Sequence, residues 1–178
     1  LAEASSEKID EDHKEFNMSY QKVEARIKKL ISIEGKRTVD NFHRELGNIL
    51  WEYCGMSRNN NGLKKAKKLI KDLRAEYWEN VLVGGSDQDF NQSLERAWRV
   101  ADFLEFGELM VTDALERQES CGGHFNEKFQ TGENEALRDD KHFCHVSAWE
   151  FNGDKRKPKF HKEPLTFENV ELTQRSYK

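Results

Sequence analysis

The sequence predicts a mainly α fold, an antiparallel bundle of three to four long helices followed by an irregular segment with a small β-hairpin. Apolar residues recur at helical spacing over roughly the first 120 positions. The two prolines, Pro158 and Pro164, both lie near the C-terminus, which leaves long helices before them uninterrupted. Asn152-Gly153, a strong hairpin signal, separates two strand-like runs. We therefore assign residues 1–123 to the bundle, with 1–42 as lead-in helix and junction, and residues 124–178 to an extension that packs on it or on another domain.

The first two helices are predicted from single apolar stripes. The first runs from about Asp12 to Ile33, and the second begins near Thr38 and ends near Gly55. The first stripe consists of Phe16, Tyr20, Val23, Ile27, Leu30 and Ile31. The second consists of Val39, Phe42, Leu46, Ile49, Leu50 and Tyr53. Each stripe predicts an amphipathic helix with one face toward a core.

The next two helices differ in their apolar faces. A third helix follows the predicted turn at residues 59–62, and its stripe is Leu63, Ala66, Ile70, Leu73, Tyr77 and Val81. The fourth, from about Asn91 to Gln118, is apolar over a wide arc. One side of it carries Leu94, Trp98, Ala101, Leu104, Val111 and Leu115, and another carries Phe103, Phe106, Met110 and Ala114. A helix apolar over so much of its circumference is predicted to lie centrally in its bundle.

After Gly123 the sequence becomes polar and irregular. Residues 143–151 have strand-like composition, and 157–162 are the predicted return strand, which Pro158 confines to a sheet edge. The tail from Pro164 has no clear period, and we predict an arm that packs on something else.

Composition excludes several classes of protein. The 178 residues carry 29 basic and 33 acidic side chains, a net charge of −4, and mean hydropathy is −0.93. This balance does not predict nucleic-acid binding, and the apolar runs are too short to span a bilayer. Three cysteines at long spacings favour a reducing compartment over a disulfide scaffold. The chain begins with Leu1 instead of Met, which suggests a fragment or a processed product.

Two kinds of chemistry are conceivable near the glycine pair at 122–123. Cys121 and His124 have zinc-ligand spacing, and His142, Cys144 and His145 are further candidates. Adjacent residues on a strand point to opposite faces, which disfavours Cys144 and His145 as a ligand pair. Cys121 as a nucleophile with His124 as its base is disfavoured because a helix C-terminus does not stabilise a thiolate.

The remaining candidates have simpler interpretations. Asp139-Asp140, Glu133 and Glu135 fit solvated or Arg138-paired carboxylates better than acid–base catalysts. The lysine-rich side of the third helix fits the solvated face of an amphipathic helix. Neither Gly84-Gly85 nor Gly122-Gly123 has the spacing of a phosphate-binding loop, so the sequence offers no means of holding a dinucleotide.

Four stretches in order carry a family resemblance. They are His43-Arg44-Glu45-Leu46-Gly47-Asn48-Ile49-Leu50-Trp51, Cys54-Gly55-Met56-Ser57-Arg58, Arg117-Gln118-Glu119-Ser120-Cys121-Gly122-Gly123-His124, and Arg138-Asp139-Asp140 with His145. From about residue 43 onward the chain resembles the C-terminal domain of succinate dehydrogenase and fumarate reductase flavoproteins. Residues 1–42 resemble the lead-in of bacterial complexes linked to a diheme cytochrome.

The resemblance implies an oxidoreductase subunit whose active site lies elsewhere. In that family the FAD, its attachment histidine and the dicarboxylate-binding residues lie upstream, at positions that have no counterpart here. The implied partners are the flavin domain of the same polypeptide, an iron–sulfur subunit and, indirectly, a membrane-anchor cytochrome b. The implied location is the cytoplasmic face of the inner membrane. The residues implied to dock the domain are Arg117, Glu119, Ser120, His124, Arg138 and Asp139.

Cys121 departs from the commoner family pattern, in which an arginine occupies that position and could form bidentate ion pairs that cysteine cannot. Two alternatives stay open at this stage. One is a free-standing helical interaction domain, perhaps stapled by zinc. The other is the equivalent domain of L-aspartate oxidase, against which the long lead-in and the hairpin extension argue.

Overall fold

Four long helices contain about half of the residues that the structure describes, as the sequence predicts. The computed structural model describes residues 10–153 and 156–173. The helices are α1 Lys14–Ser32, α2 Val39–Cys54, α3 Asn60–Asn80 and α4 Gln92–Glu116, and a short helix, α5, covers Asp140–Phe143. Two short parallel strands, β1 Arg37–Thr38 and β2 Val81–Leu82, precede and follow the α2–α3 pair. An antiparallel hairpin of β3 His145–Glu150 and β4 Lys159–Pro164 follows α5. The mainly α class with a small hairpin is thereby confirmed.

The chain divides into two compact units that cut across the long helices. The first contains the residues up to His43 together with Arg74–Phe103, and the second contains Arg44–Leu73 together with Leu104 onward. The boundary predicted from sequence at residue 123 lies inside the second unit.

Tyr77 lies at the centre of the first unit. Its ring is fully buried and meets Phe42 edge to face at 5.1 Å between centroids. Its hydroxyl donates a hydrogen bond to the carbonyl oxygen of Ala97 at 2.6 Å, and burial raises the pKa of this phenol. At Gly35 a Cβ atom would lie 2.2 Å from backbone atoms of Asn80, so only glycine permits this close approach.

Helix α1 joins the first unit through its cationic side chains. The Arg26 guanidinium lies 4.2 Å from the ring centroid of Trp98 and forms an ion pair with Asp102 at 2.6 Å. Lys29 lies 4.4 Å from the ring centroid of Trp78. Cation–π contacts of this kind stabilise a helix whose apolar face is only partly covered.

The second unit is built from the adjoining halves of α2, α3 and α4. Its buried apolar side chains include Leu46, Ile49, Leu63, Ala66, Ile70, Leu73, Leu104, Val111 and Ala114. Gly107 lets the helices approach closely, because a Cβ there would lie 3.1 Å from Leu46 Cδ1. The hairpin is tied to α4 by a hydrogen bond from Trp149 Nε1 to Asp113 Oδ1 at 2.8 Å.

The structure corrects three details of the sequence prediction. The segment 59–62 is not a free turn: α3 begins at Asn60, and the Asn59 side-chain oxygen accepts from the Gly62 amide at 2.8 Å. The strand predicted over 143–151 begins only at His145, because Phe143 completes α5. Cys144 therefore does not belong to the strand, and the alternation argument does not apply to the pair 144–145.

The apolar faces of α1 and α4 are more exposed than predicted. On α4, Phe103, Phe106 and Met110 retain 42%, 61% and 40% of their accessible surface, so the wide arc is not all core. On α1, Phe16, Tyr20 and Val23 are also exposed, while Leu30 is fully buried. Of the second predicted side of α4, only Ala114 is buried, whereas the first side contributes Ala101, Leu104 and Val111 to the buried residues.

Candidate functional site

The end of α4 continues into a tight turn that centres the candidate site. Helix α4 ends at Glu116, and Cys121 and His124 then pair with each other through two backbone hydrogen bonds of 2.9 and 3.0 Å. Gly122 has φ +57°, the left-handed conformation that glycine adopts without strain. The turn therefore reverses the chain at once and brings His124 back beneath the helix end.

His124 joins the ends of two helices. Its Nδ1 atom lies 2.8 Å from Arg58 Nη1, and its Nε2 atom lies 2.9 Å from the carbonyl oxygen of Arg117. A guanidinium can only donate, so Nδ1 accepts, and the proton resides on Nε2, which donates to the carbonyl. Burial lowers the pKa of His124, and the positive charges of Arg58 and Arg117 lower it further. The imidazole is therefore neutral at pH 7, with both nitrogen atoms engaged.

Glu119 is almost fully buried, with 2% of its surface accessible, and both of its oxygen atoms accept hydrogen bonds. Oε1 accepts from Arg117 Nη1 at 2.6 Å, and Oε2 accepts from the backbone N–H of Asp139 at 2.9 Å. These charge-assisted bonds offset the cost of burying the carboxylate. Glu119 thus fastens the segment around Asp139 to the end of α4.

Ser120 supplies the second connection to the same segment. Its backbone N–H donates to the carbonyl oxygen of Leu137 at 2.8 Å. Its hydroxyl oxygen accepts from the N–H of Asn126 at 2.9 Å and lies 3.1 Å from the carbonyl oxygen of the same residue. The side chain is fully buried. Ser120 therefore fixes the chain on both sides of the turn.

Arg58 and Asn126 complete this buried network, and sequence reasoning did not assign either of them to the site. Arg58 Nε donates to the carbonyl oxygens of Cys54 and Gly55, both at 3.2 Å, so it caps α2 while it holds His124. Asn126 is 1% exposed and donates from Nδ2 to Asn60 Oδ1 at 3.0 Å. Arg58 lies in one of the stretches that carry the family resemblance, and this position could have indicated that it belongs to the site.

The six predicted docking residues fall into two groups. Arg117, Glu119, Ser120 and His124 share the buried network. Arg138 lies at its exposed edge, where it pairs with Asp140 at 2.6 Å and donates to the carbonyl oxygen of Thr173 at 3.0 Å. Asp139 contributes its backbone N–H to the network, while its carboxylate caps α5 and pairs with His142 Nδ1 at 2.8 Å.

The candidate zinc ligands are not gathered around one point. Both nitrogen atoms of His124 are engaged, and His142 pairs with Asp139. Within residues 10–153 and 156–173, no group of three or more histidine, cysteine or acidic side chains is arranged to hold a metal ion. The zinc alternative therefore gains no support from these residues.

The turn at Gly84-Gly85 is held by hydrogen bonds within its own chain. The Nδ2 atom of Asn91 donates hydrogen bonds to the carbonyl oxygens of Gly84 and Ser86. The Asn91 side chain lies so close to Gly85 that a Cβ atom at residue 85 would be 2.5 Å from Nδ2. Asn91 Oδ1 accepts from the Leu94 amide at 3.1 Å and thereby caps α4. Asn91 thus takes up the Leu94 N–H, one of the groups at the start of α4 that a bound phosphate would use.

One family matches most of this chain. The protein-family model described as fumarate reductase flavoprotein C-term matches residues 43–177, which include the whole buried network.

Three curated relatives match parts of the chain. An uncharacterized FAD-dependent oxidoreductase of Methanocaldococcus jannaschii is 28% identical over 130 residues, which are 72% of this chain and 23% of that protein. The fumarate reductase flavoprotein subunit of Haemophilus influenzae is 28% identical over 102 residues, 57% of this chain and 17% of the subunit. The chloroplastic L-aspartate oxidase of Oryza sativa subsp. japonica is 38% identical over 85 residues, 48% of this chain and 13% of the oxidase. The chain thus spans less than a quarter of the length of these relatives.

Solved structures share the fold. The FrdA chain of Escherichia coli quinol fumarate reductase superposes with a TM-score of 0.79 at 20% identity, over 96% of this chain and 28% of that chain. Adenylylsulfate reductase of Archaeoglobus fulgidus superposes with a TM-score of 0.64 at 14% identity, over 90% of this chain and 25% of that chain. The match over residues 43–177 establishes that the chain belongs to the C-terminal domain family of succinate dehydrogenase and fumarate reductase flavoproteins.

Proposed function

We propose that this chain supports a flavoprotein that interconverts succinate and fumarate with FAD and passes electrons to an iron–sulfur subunit. The observation that supports this most directly is the single family match across residues 43–177, which spans the network from Arg58 to Arg138. Because the chain covers only a small part of its relatives, the activity belongs to the intact subunit.

Within residues 10–153 and 156–173, the two glycine pairs do not offer a site that fits the flavin itself. Asn91 occupies the turn at Gly84-Gly85, and the network around His124 uses its polar groups internally. We therefore assign no catalytic residue to the chain and derive no chemical step from it. Its proposed role is to support the domain that binds FAD.

In this proposal, the buried network holds the rim of the turn against the flavin domain. The rim consists of Gly122, Gly123, Arg138 and Asp139. Glu119, Ser120 and His124 are buried and act by holding the backbone in place. Gly122 and Gly123 are exposed, and Arg138 and Asp139 lie at the same edge. These outer groups are the proposed contacts, while Arg117 positions Glu119.

The proposed location is the cytoplasmic face of the inner membrane, reached through the iron–sulfur subunit and a cytochrome b anchor. The helices of residues 10–153 and 156–173 include none with the length and hydropathy needed to cross a bilayer.

Activity of the complete polypeptide that contains this chain tests the proposal. We expect the purified protein to hold FAD, to reduce fumarate with a reduced viologen dye and to oxidise succinate with a phenazine acceptor. Absence of bound flavin, or flavin without either activity, would contradict it.

Variants at the rim test the docking role in the same protein. Arg138→Gln should lower the retained flavin and the resistance of the domain junction to protease, while Lys141→Gln, an exposed neighbour, serves as the control. Equal flavin content and equal protease resistance in both variants would remove Arg138 from the docking surface.

L-aspartate oxidase is the second candidate, and the 38% identity over 85 residues favours it. The discriminating measurement is turnover of L-aspartate under air by the same purified protein. Turnover of L-aspartate without turnover of succinate would select this candidate.

A further inference from the structure

Residues 64–71 of α3 contain five lysines and no acidic residue, and Asp72 follows directly. We call Lys64, Lys65, Lys67, Lys68 and Lys71 the lysine face. Four of the five are exposed, and Lys67 is half-buried. They lie opposite the buried stripe of the helix, within a chain whose net charge is −4.

One member of the lysine face has a counter-charge nearby, because Glu52 attracts Lys65 electrostatically. Lys65 lies over the ring of Tyr53, 4.9 Å from its centroid. The other four lysines make no ion pair with any residue of the part of the chain that the structure describes. Solubility alone does not require a surface that carries only positive charges, because a mixture of acidic and basic side chains keeps a protein soluble.

This arrangement opposes the stability of the helix. Lys64 and Lys68, like Lys67 and Lys71, are spaced i,i+4, where like charges repel. The cluster also begins near the positive end of the helix dipole, which favours acidic residues. The other three long helices each have an acidic residue in the first turn, and α3 has none. Glutamine would form the helix as readily as lysine, and it would avoid the repulsion between like charges.

We propose that the lysine face binds an acidic surface of a partner protein. The five lysines extend over about 12 Å of helix, the scale of a short acidic segment. Between residues 57 and 81, no large apolar side chain is exposed that could enter a lipid bilayer. Arginine forks and exposed aromatic rings, which nucleic-acid sites use, are absent among these lysines. The proposal holds for either candidate function, because it concerns a surface and not the reaction.

Binding of a model polyanion tests the surface directly. The probe is a fluorescein-labelled 20-residue poly-L-glutamate, followed by fluorescence anisotropy with the 178-residue chain at low salt. We expect binding that weakens steeply with added salt, and a loss of at least tenfold in affinity in Lys64→Glu/Lys68→Glu/Lys71→Glu. The control variant, Lys14→Glu/Lys22→Glu/Lys36→Glu, changes the net charge equally at exposed positions outside the face and should stay within twofold.

Equal weakening in the two triple variants would overturn the proposal, because the effect would then be one of net charge. Absence of binding by the unaltered chain would overturn it as well. Binding that depends on the lysine face but occurs only with phosphatidylglycerol vesicles, or only with a 20-nucleotide single-stranded DNA, would replace the protein partner with that class of ligand.

Thermal unfolding gives a readout that does not depend on any probe. If the lysines lower the stability of α3, the neutral variant Lys64→Gln/Lys68→Gln/Lys71→Gln should have a higher Tm than the unaltered chain, because it removes the repulsion without creating new like-charged pairs. The neutral control Lys22→Gln/Lys36→Gln/Lys141→Gln, at exposed positions outside α3, should not. A lower Tm in the neutral lysine-face variant would contradict the argument that these lysines destabilise the helix.

Discussion

Replacement of Glu119 by glutamine tests whether the buried network stabilises the second unit. The carboxylate accepts from Arg117 at 2.6 Å and from the Asp139 amide at 2.9 Å. Glutamine has almost the same shape but only one acceptor oxygen, so its NH₂ group must face one of these two donors. The variant therefore loses one charge-assisted hydrogen bond and leaves one donor without an acceptor.

The expected loss follows from burial. A hydrogen bond to a charged group contributes roughly 1.5–3 kcal/mol, and removal of one member of a fully buried pair costs roughly 3–5 kcal/mol. The Glu119 side chain is 3% exposed, whereas that of Arg117 is 23% exposed, so water partly replaces the lost contact. We expect Glu119→Gln to lower the free energy of unfolding by about 2–3 kcal/mol.

Urea unfolding followed by circular dichroism measures this loss. The matched control is Asp140→Asn, because Asp140 also pairs with an arginine at 2.6 Å in the same segment but is 40% exposed. Exposed pairs contribute about 0–1 kcal/mol, so the control should unfold nearly as the native chain does. If Glu119→Gln costs no more than Asp140→Asn, burial does not strengthen the network and the reasoning fails.

Three further predictions concern single groups. The pKa of His124 lies below its ordinary value of 6.5, so its contribution to stability is present above pH 6.5 and is lost as the pH falls below that value, by up to about 1.4 kcal/mol per pH unit. Urea unfolding at pH 7.5 and at pH 5.5 should therefore show a smaller pH dependence of the unfolding free energy in His124→Asn than in the unaltered chain. An unchanged pH dependence would contradict this assignment. Gly122→Val places a β-branched residue at φ +57° and should lower the free energy of unfolding by about 1–2 kcal/mol in the same assay. Gly123 does not have a positive φ, so Gly123→Ala should lower it by less. Equal losses in the two variants would show that the turn tolerates a side chain at residue 122. Tyr77→Phe removes the hydrogen bond to the Ala97 carbonyl oxygen and should lower the free energy of unfolding by about 1 kcal/mol. The control variant Tyr20→Phe, at an exposed tyrosine, should have no effect. Equal stability of the two variants would mean that water replaces the hydrogen bond of Tyr77.

Local periodicity predicted the helices well where one face is clearly apolar. Every residue of the stripe predicted for α3, from Leu63 to Val81, is buried. The ends of α2 and α4 lie within two residues of their predicted positions. Helix formation depends on neighbours three and four positions away, and that information is present in any short window of sequence.

Periodicity failed where it could not tell which apolar face has a partner. Phe106 on α4 and Tyr20 on α1 match a helical stripe but remain exposed at 61% and 67%. A stripe indicates which residues share a side of a helix, while burial depends on what packs against that side. The segment 59–62 was misjudged for a related reason, because an asparagine-rich sequence can cap a helix as well as break one.

The sequence by itself predicted the helices, the hairpin and the family, and it singled out Arg117, Glu119, Ser120 and His124 for a docking role that stays a prediction. Only the tertiary structure decided that Arg58 meets His124, a residue 66 positions away, and that Asn126 meets Asn60 at the same separation. Such pairs have no local signature, because a hydrogen bond needs only that two groups meet at about 3 Å, however far apart they lie along the chain. The packing of distant segments also decides whether a glutamate is buried and paired. It decides in the same way whether a lysine has an ion-pair partner.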